Sequence, residues 1–220
     1  MSSESPEICF REQLLHWQES GTTLALPDII LAKGQSAGVM GPSGCGKSSW
    51  LRCLLGEAVG HVKLTGEFYV RDREISKLAI EDRNIGILLQ DNPLFPHYSV
   101  RKNLAFALQK KNVSRAEQNQ MIASQLALLG MADFIDRLPG QLSGGQRARI
   151  GLLRTVLAEP ALVLLDEPFN ALDSQRRQQV RDWTFAFLKQ RGISSIIVSH
   201  QADDLTYVDQ HVSWPEGVSE

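Results

Sequence analysis

Apolar residues occur along this chain both in short continuous runs and in helical spacing, and the two patterns alternate. A continuous apolar run at 161–165 is typical of a strand buried in a parallel sheet, and the short apolar run at 37–40 and the apolar stretch at 193–199 predict further strands. Segments with an apolar residue at every third or fourth position predict helices between them. The alternation predicts an α/β protein. Further strands are predicted at 8–10, 28–31, 66–70 and 84–89 and near Val212.

The stretch 91–140 differs from the rest because no strand pattern interrupts it. Ser99 is a suitable N-cap for one helix, and Ser114 with Glu117 forms the Ser-x-x-Glu capping box of a second. Gly130 is a normal helix terminator. We therefore predict a single domain over 1–220, with an α/β core formed by 1–90 and 141–220 and an inserted helical lobe at 91–140.

Composition and charge narrow the class of protein. The 220 residues are 43% hydrophobic and 22% charged, with a formal net charge of −2 and no long basic run. Binding of nucleic acid through its phosphates is therefore not expected. The three cysteines are not spaced as metal pairs, the N-terminus does not resemble a signal peptide, and no apolar stretch approaches ~20 residues. We therefore expect a cytoplasmic protein, and any role at a membrane would depend on a partner.

A glycine-rich stretch between the strand at 37–40 and the helix at 47–55 has the spacing G-x-x-x-x-G-K-S. Glycines let backbone N–H groups turn towards an anion, and the helix start adds unpaired donors and a positive dipole end. Lys47 would reach the β- and γ-phosphates of a nucleotide, and the Ser48 hydroxyl would ligate Mg²⁺. The residues predicted to hold the phosphates are Gly41, Pro42, Ser43, Gly44, Cys45, Gly46, Lys47, Ser48 and Ser49.

An aromatic residue upstream of this loop, Trp17, allows two interpretations. Its ring could stack on a nucleotide base, since stacking makes no demand on base identity. It could equally be a half-buried tryptophan that packs on the sheet. The sequence leaves both alternatives open.

Polar residues follow three predicted strands, at the strand ends where ligands of α/β sheets bind. Asp166 and Glu167 end the run at 161–165, and adjacent buried carboxylates are costly unless they face a cation or a polar site. Asp166 is predicted to hold Mg²⁺, and Glu167 to orient and activate the attacking water. Gln90 follows the strand at 84–89, and His200 ends the strand at 193–199, where it could donate to a γ-phosphate.

A second site suited to a phosphate lies about a hundred residues after the first. Ser143 is a natural N-cap, and the paired glycines behind it would let an anion approach the helix start. The residues of this second site are Leu142, Ser143, Gly144, Gly145 and Gln146.

A separate tight connection, which ends at Asp173, leads into a later helix.

Together these motifs resemble the ATP-binding subunit of ABC transporters, over nearly the whole chain. The matching segments are Walker A at 41–48, the Q-loop at Gln90, the LSGGQ signature at 142–146, Walker B at 162–167, the D-loop at 170–173 and the switch histidine at His200. The stretch 90–100 resembles the importer branch, with a finer similarity to YnjD-type short uptake ATPases. The resemblance implies a P-loop NTPase core with a mostly parallel sheet, flanking helices, an N-terminal antiparallel part and an inserted helical lobe.

The resemblance further implies a Mg²⁺-dependent ATPase in which Gln90 also contributes to the metal site. Two such subunits pair head-to-tail, so that each signature faces the partner's ATP. The implied partners are transmembrane permease subunits and a periplasmic or extracellular substrate-binding protein, with this chain on the inner face of the membrane.

The chain departs from the family pattern at Ser49 and Trp50, where Thr and Leu are usual, at Asn170 and at Gln201. Ser49 can still donate to a phosphate, whereas Trp50 is bulkier than expected. Three other functions stay open at the level of sequence. They are an exporter or a lipid- or division-related complex, a soluble ABC ATPase that acts on DNA or ribosomes, and a nucleotide-binding module without turnover.

Overall fold

The computed structural model describes residues 6–90, 94–109 and 112–215. The chain divides into two compact units. The first consists of Met1–Ile87, Pro160–Glu167 and Leu188–Glu220, and the second of Leu88–Glu159 and Pro168–Phe187. The predicted bounds of the helical lobe, 91–140, stay a prediction.

Strands and helices are numbered in chain order. The described strands are β1 (Ile8–Trp17), β2 (Thr22–Ala25), β3 (Ile29–Leu31), β4 (Ser36–Met40), β5 (Val62–Val70), β6 (Arg73–Glu74), β7 (Ile85–Leu88), β8 (Leu162–Asp166), β9 (Ser194–Val198) and β10 (Gln210–Ser213). The described α-helices are α1 (Lys47–Leu55), α2 (Val100–Ala107), α3 (Arg115–Leu128), α4 (Gly144–Leu157) and α5 (Ser174–Arg191). None of the described helices is long and apolar enough to cross a membrane.

An antiparallel sheet forms the amino-terminal part of the first unit. Its strands run in the order β2-β1-β5-β6, and β3 also pairs with β1. Strand β1 continues to Trp17, well beyond the predicted 8–10. The prediction was too short because one face of the strand is exposed and carries polar residues, so no continuous apolar run marks it. A register shift interrupts β1 between Arg11 and Leu14. Gly66 lies opposite, where a Cβ atom would be 2.7 Å from the Arg11 carbonyl oxygen, so only glycine fits this bulge.

A second sheet runs in the order β10-β4-β9-β8-β7, and its β10–β4, β4–β9 and β9–β8 pairs are parallel. Every residue of β8 and β9 is buried, including Ser194 and Ser195 at the start of β9. Burial of β8 is what its continuous apolar run predicts. Helix α1 is the next element after β4, beyond the loop 41–46, and it has the predicted bounds. This mixed α/β architecture, a parallel sheet and an antiparallel sheet combined with helices, confirms the predicted fold class.

Helices of the second unit begin at the predicted caps. The Ser99 hydroxyl accepts a hydrogen bond from the Lys102 backbone N–H at the start of α2. At the start of α3, Ser114 and Glu117 form both hydrogen bonds of the capping box. Gly130 follows α3 with a φ of 63°, the left-handed conformation that commonly ends a helix. These local signals act within one turn of helix, which is why sequence reveals them.

Candidate functional site

The loop between β4 and α1 has the backbone of an anion-binding turn. Gly44 and Gly46 have φ values of 72° and 95°, which residues with a Cβ atom rarely adopt. Gly46 is the N-cap of α1, and no side chain among the described residues caps this helix. The N–H groups of its first turn are therefore available to a negatively charged ligand.

Lys47 lies at the start of α1 with only 6% of its surface exposed. Its ammonium group donates to the carbonyl oxygens of Gly41, at 2.9 Å, and of Pro42, and it lies 3.4 Å from the Cys45 sulfur. These partners are neutral, so they orient the ammonium group without cancelling its charge. The loop therefore presents a fixed positive charge next to its backbone donors.

Asp166 is the last residue of β8, is almost fully buried, and forms a hydrogen bond with the Ser48 hydroxyl. Burial raises the pKa of Asp166, and the charge of Glu167 raises it further, whereas the Ser48 hydrogen bond and Lys47 lower it. A carboxylate beside a hydroxyl suits Mg²⁺, which prefers oxygen ligands and keeps several waters. No cluster of three or more His, Cys, Asp or Glu that could bind a metal occurs in the described residues.

Glu167 and His200 face each other across the ends of β8 and β9. Nδ1 of His200 lies 2.8 Å from Oε1 of Glu167, and since a carboxylate only accepts, the ring nitrogen donates. Glu167 has a φ of 50°, a strained value for this residue type, and such strain concentrates at functional sites. Its second oxygen, Oε2, is buried without a hydrogen-bond partner among the described residues. A polar ligand at Oε2 would satisfy it.

Trp17 ends β1 and lies directly against the phosphate-binding loop. A Cβ atom at Gly46 would be 2.5 Å from Cζ2 of the Trp17 ring, so glycine is required there for space as well as for φ. The ring also packs on the hydrophobic core. The packing interpretation therefore has direct support, and the stacking interpretation stays a prediction.

The second predicted site is the start of α4, in the second unit. Ser143 caps the helix, and its partner in a capping box is Gln146, whose Oε1 accepts from the Ser143 N–H at 2.7 Å. A Cβ atom at Gly145 would be 2.9 Å from the Ala171 carbonyl oxygen, whereas one at Gly144 would meet nothing within 4 Å. Leu142 is buried, while Ser143 and Gly144 are exposed. The helix start is therefore packed on one side and open on the other.

Two further predicted residues lie in the second unit. Gln90 is exposed and follows the end of β7 by two positions. Asp173 is exposed, and its side chain accepts from the Arg176 N–H at 3.0 Å, so it acts as a cap at the start of α5. The structure thus brings together Lys47, Ser48 and Asp166, and separately pairs Glu167 with His200.

Two contacts near the site are absent from the sequence analysis. The Trp214 indole N–H donates to the Cys45 carbonyl oxygen at 3.0 Å. The Ser199 hydroxyl, next to His200, donates to the buried carboxylate of Asp204 at 2.9 Å. No sequence motif marks Trp214. Trp50, which packs against it, is marked only because it stands where the family usually has leucine.

The parallel sheet, the glycine loop and the buried lysine together define a nucleotide-binding protein of the P-loop class. A family model described as "ABC transporter" matches residues 27–170. The chain belongs to the ABC transporter family.

Among curated relatives, the chain is 37% identical over 191 residues to the sulfate/thiosulfate import ATP-binding protein CysA of Thermosynechococcus vestitus, covering 86% of this chain and 56% of the relative. It is 38% identical over 193 residues to the sn-glycerol-3-phosphate import ATP-binding protein UgpC of Chromohalobacter salexigens, covering 87% and 51%. The chain thus spans about half the length of these relatives.

A solved structure described as a metal-chelate type ABC transporter in an inward-facing conformation matches with a TM-score of 0.75 at 22% sequence identity. The match covers 96% of this chain and 81% of the solved chain. At this identity the similarity concerns the fold, which it confirms.

Proposed function

We propose that this chain is the ATP-binding and ATP-hydrolysing subunit of a membrane transporter that imports a solute through separate permease subunits. The observation that carries the proposal is the arrangement in the first unit. There, a phosphate-binding loop, the Ser48–Asp166 oxygen pair and the Glu167–His200 pair all follow strands of one parallel sheet. Several curated relatives, including CysA and UgpC, are named as import ATP-binding proteins, which favours import.

Binding of the nucleotide is assigned to the loop 41–49. Its N–H groups and the Lys47 ammonium would hold the phosphates, and Trp17 is the proposed base-stacking residue. Ser48 and Asp166 would hold Mg²⁺, with Gln90 as the further ligand proposed from the sequence. When bound, the ion neutralises charge that develops on the transferred phosphoryl group.

Hydrolysis is assigned to Glu167 as the group that accepts a proton from the attacking water. Oε1 lies 2.8 Å from Nδ1 of His200, and the buried Oε2 has no hydrogen-bond partner among the described residues, so Oε2 is the oxygen that we assign to the attacking water once the nucleotide is bound. This hydrogen bond fixes the orientation of the carboxylate before the reaction, which is what a general base requires. His200 has the second proposed role of donating to the γ-phosphate, and Gln90 is proposed to assist catalysis.

The second anion site, at 142–146, is assigned to the nucleotide of a partner subunit. Its open side at Ser143 and Gly144 suits a ligand that comes from outside the chain. We propose a head-to-tail dimer on ATP binding, in which Asp173 belongs to the facing loops. A substrate-binding protein outside the cell would deliver the solute, and this chain would lie on the cytoplasmic side of the membrane against the permease.

The test is ATP hydrolysis by the chain assembled with the membrane subunit that co-purifies with it. Lys47→Ala removes the charge that holds the β- and γ-phosphates, so hydrolysis is expected to fall to background. Lys63→Ala, which removes a lysine on β5, is the matched control and is expected to keep wild-type turnover. Near wild-type turnover of Lys47→Ala would refute the assignment of the loop.

The direction of transport needs its own measurement. The measurement uses right-side-out membrane vesicles that contain the assembled complex. An importer is expected to take the solute up into these vesicles, and the uptake should depend on a binding protein. Release of a solute from the same vesicles would instead support an exporter.

A further inference from the structure

The residue after β10, Trp214, contacts the phosphate-binding loop at two points. Its backbone N–H donates to the Met40 carbonyl oxygen at 2.7 Å, which extends the alignment of β10 beside β4. Its side chain is buried and lies over Gly41, where a Cβ atom would be 2.4 Å from Cβ of Trp214. Its indole N–H donates to the Cys45 carbonyl oxygen at 3.0 Å. One side chain thus contacts the first and fifth residues of the loop.

A second tryptophan packs against this side chain. Trp50, on α1, is 1% exposed and meets Trp214 in an edge-to-face contact with ring centroids 5.6 Å apart. Its own indole N–H donates to Oε1 of Gln13 at 3.0 Å, and Gln13 in turn donates to the Pro27 carbonyl oxygen at 2.7 Å. The hydrogen bonds of Trp50 therefore lead to the antiparallel sheet, whereas that of Trp214 leads to the loop.

The orientation of the Cys45 carbonyl also sets the orientation of the Gly46 N–H, because the peptide bond between them is planar. In a planar trans peptide the C=O and the following N–H point in opposite directions. When Trp214 holds the Cys45 carbonyl, it also fixes the direction of the Gly46 N–H, which points away from the indole ring. Gly46 is in the left-handed region, and so is Gly44 on the other side of Cys45, so the glycines alone leave this peptide many alternative orientations.

We propose that Trp214 is a positioning residue for nucleotide binding, and that it acts by holding the Cys45–Gly46 peptide of the phosphate-binding loop in the orientation that binds phosphate. Trp214 makes no contact with the nucleotide in this proposal. It increases the fraction of molecules whose loop is competent to bind, and apparent affinity scales with that fraction. The inference rests on the proposed function only in that the loop 41–49 must bind a nucleotide.

The test compares the dissociation constant for ATP of Trp214→Phe with that of the wild type, by calorimetry on the full chain. Phenylalanine keeps an aromatic ring in the pair but removes the N–H donor. Because a hydrogen bond contributes a net ~0.5–1.5 kcal/mol, the dissociation constant is expected to rise by about 2- to 10-fold. At saturating ATP the turnover of the assembled complex should be unchanged, so that KM rises and kcat does not.

Trp50→Phe is the matched control, because it removes an indole N–H from the same aromatic pair but one that is bonded to Gln13. It is expected to lower the melting temperature without changing the ATP dissociation constant. A wild-type dissociation constant for Trp214→Phe, or an equal rise in both variants, would overturn the positioning role. A wild-type chain that fails to bind ATP would instead refute the proposed function.

A measurement on the wild-type sequence avoids dependence on a variant that folds poorly. With ¹⁵N-labelled tryptophan, the indole N–H resonance of Trp214 is expected to shift on addition of MgATP, because its acceptor is part of the binding loop. The resonance of Trp183, whose indole N–H donates to Gln125, is the internal reference and should stay in place. A stationary Trp214 resonance at saturating MgATP would also overturn the proposal.

Discussion

At the scale of single residues, Asp166 illustrates a conflict between stability and function. It is buried at the end of β8, and this burial raises its pKa because the ionised form loses solvation. The contribution of such a carboxyl to stability is favourable below its ordinary pKa of 3.8 and is lost as the pH rises through the raised value. At neutral pH the ionised Asp166 therefore costs stability, and a metal ion would offset that cost.

Asp166→Asn is accordingly expected to stabilise the nucleotide-free protein at pH 7 while it weakens Mg²⁺-dependent binding. A gain of about 1 kcal/mol in the free energy of unfolding would raise the melting temperature by about 2–4 °C for a chain of this size. The gain should shrink as the pH is lowered through the raised pKa of Asp166, since the carboxyl then becomes neutral. Melting curves at several pH values, and ATP titrations with Mg²⁺ and with EDTA, check both parts. A lower melting temperature at pH 7 would contradict the argument.

At the scale of elements, the amino-terminal end of α4 combines a local capping motif with a tertiary contact. Ser143 and Gln146 form the capping box within four residues, so the sequence contains all that this cap requires. Gly145 is different, because the backbone of Ala171 approaches it from a segment far along the chain. Two adjacent glycines with the same appearance in the sequence therefore have different physical reasons to be glycine.

Alanine substitutions separate these two reasons. Gly145→Ala would place a methyl group 2.9 Å from a backbone oxygen, and overpacking of this kind typically costs about 1–3 kcal/mol. Gly144→Ala has free space and is expected to raise the free energy of unfolding by about 0.4–1 kcal/mol, because alanine restricts the unfolded chain. Urea unfolding of both variants measures this difference. Equal effects of the same sign would show that the contact with Ala171 does not constrain this position.

At the scale of the whole molecule, the predicted site residues are divided between the two compact units. The phosphate-binding loop, Asp166, Glu167 and His200 belong to the first unit, and Gln90, Asp173 and the 142–146 signature belong to the second. We propose that the 142–146 signature serves the nucleotide of a partner subunit. The consequence to test is an assembly that depends on ATP.

Glu167→Gln is expected to bind ATP but to hydrolyse it about 10²–10⁴-fold more slowly, since general-base assistance is lost. Because the variant hydrolyses ATP so slowly, the ATP-bound dimer should accumulate. Size-exclusion chromatography is expected to show a dimer with ATP and none without it. Adding Ser143→Arg to this variant should prevent the dimer while nucleotide binding by the monomer persists. A Glu167→Gln protein that binds ATP yet stays monomeric, even when assembled with the permease, would count against the shared site.

The sequence by itself determined the local chemistry of this protein. Three features depend only on neighbours within a few residues, so the sequence predicts them. They are the glycine loop before Lys47, the carboxylates at the end of a buried apolar run, and the cap at Ser143. The bounds of α1 and the predicted strands β8 and β9 follow for the same reason. Residues 91–93, part of the stretch 90–100 that resembles the importer branch, lie outside the described residues.

The tertiary structure alone decided which distant residues support that chemistry. Trp214 and Cys45 are 169 positions apart, and the hydrogen bond between them leaves no periodic pattern for sequence analysis to detect. The full length of β1 was hidden because a strand with one exposed face needs polar residues on that face. The pairing of His200 with Glu167 depends on β8 and β9 being parallel neighbours, since adjacent parallel strands bring their carboxyl ends together at one edge of the sheet.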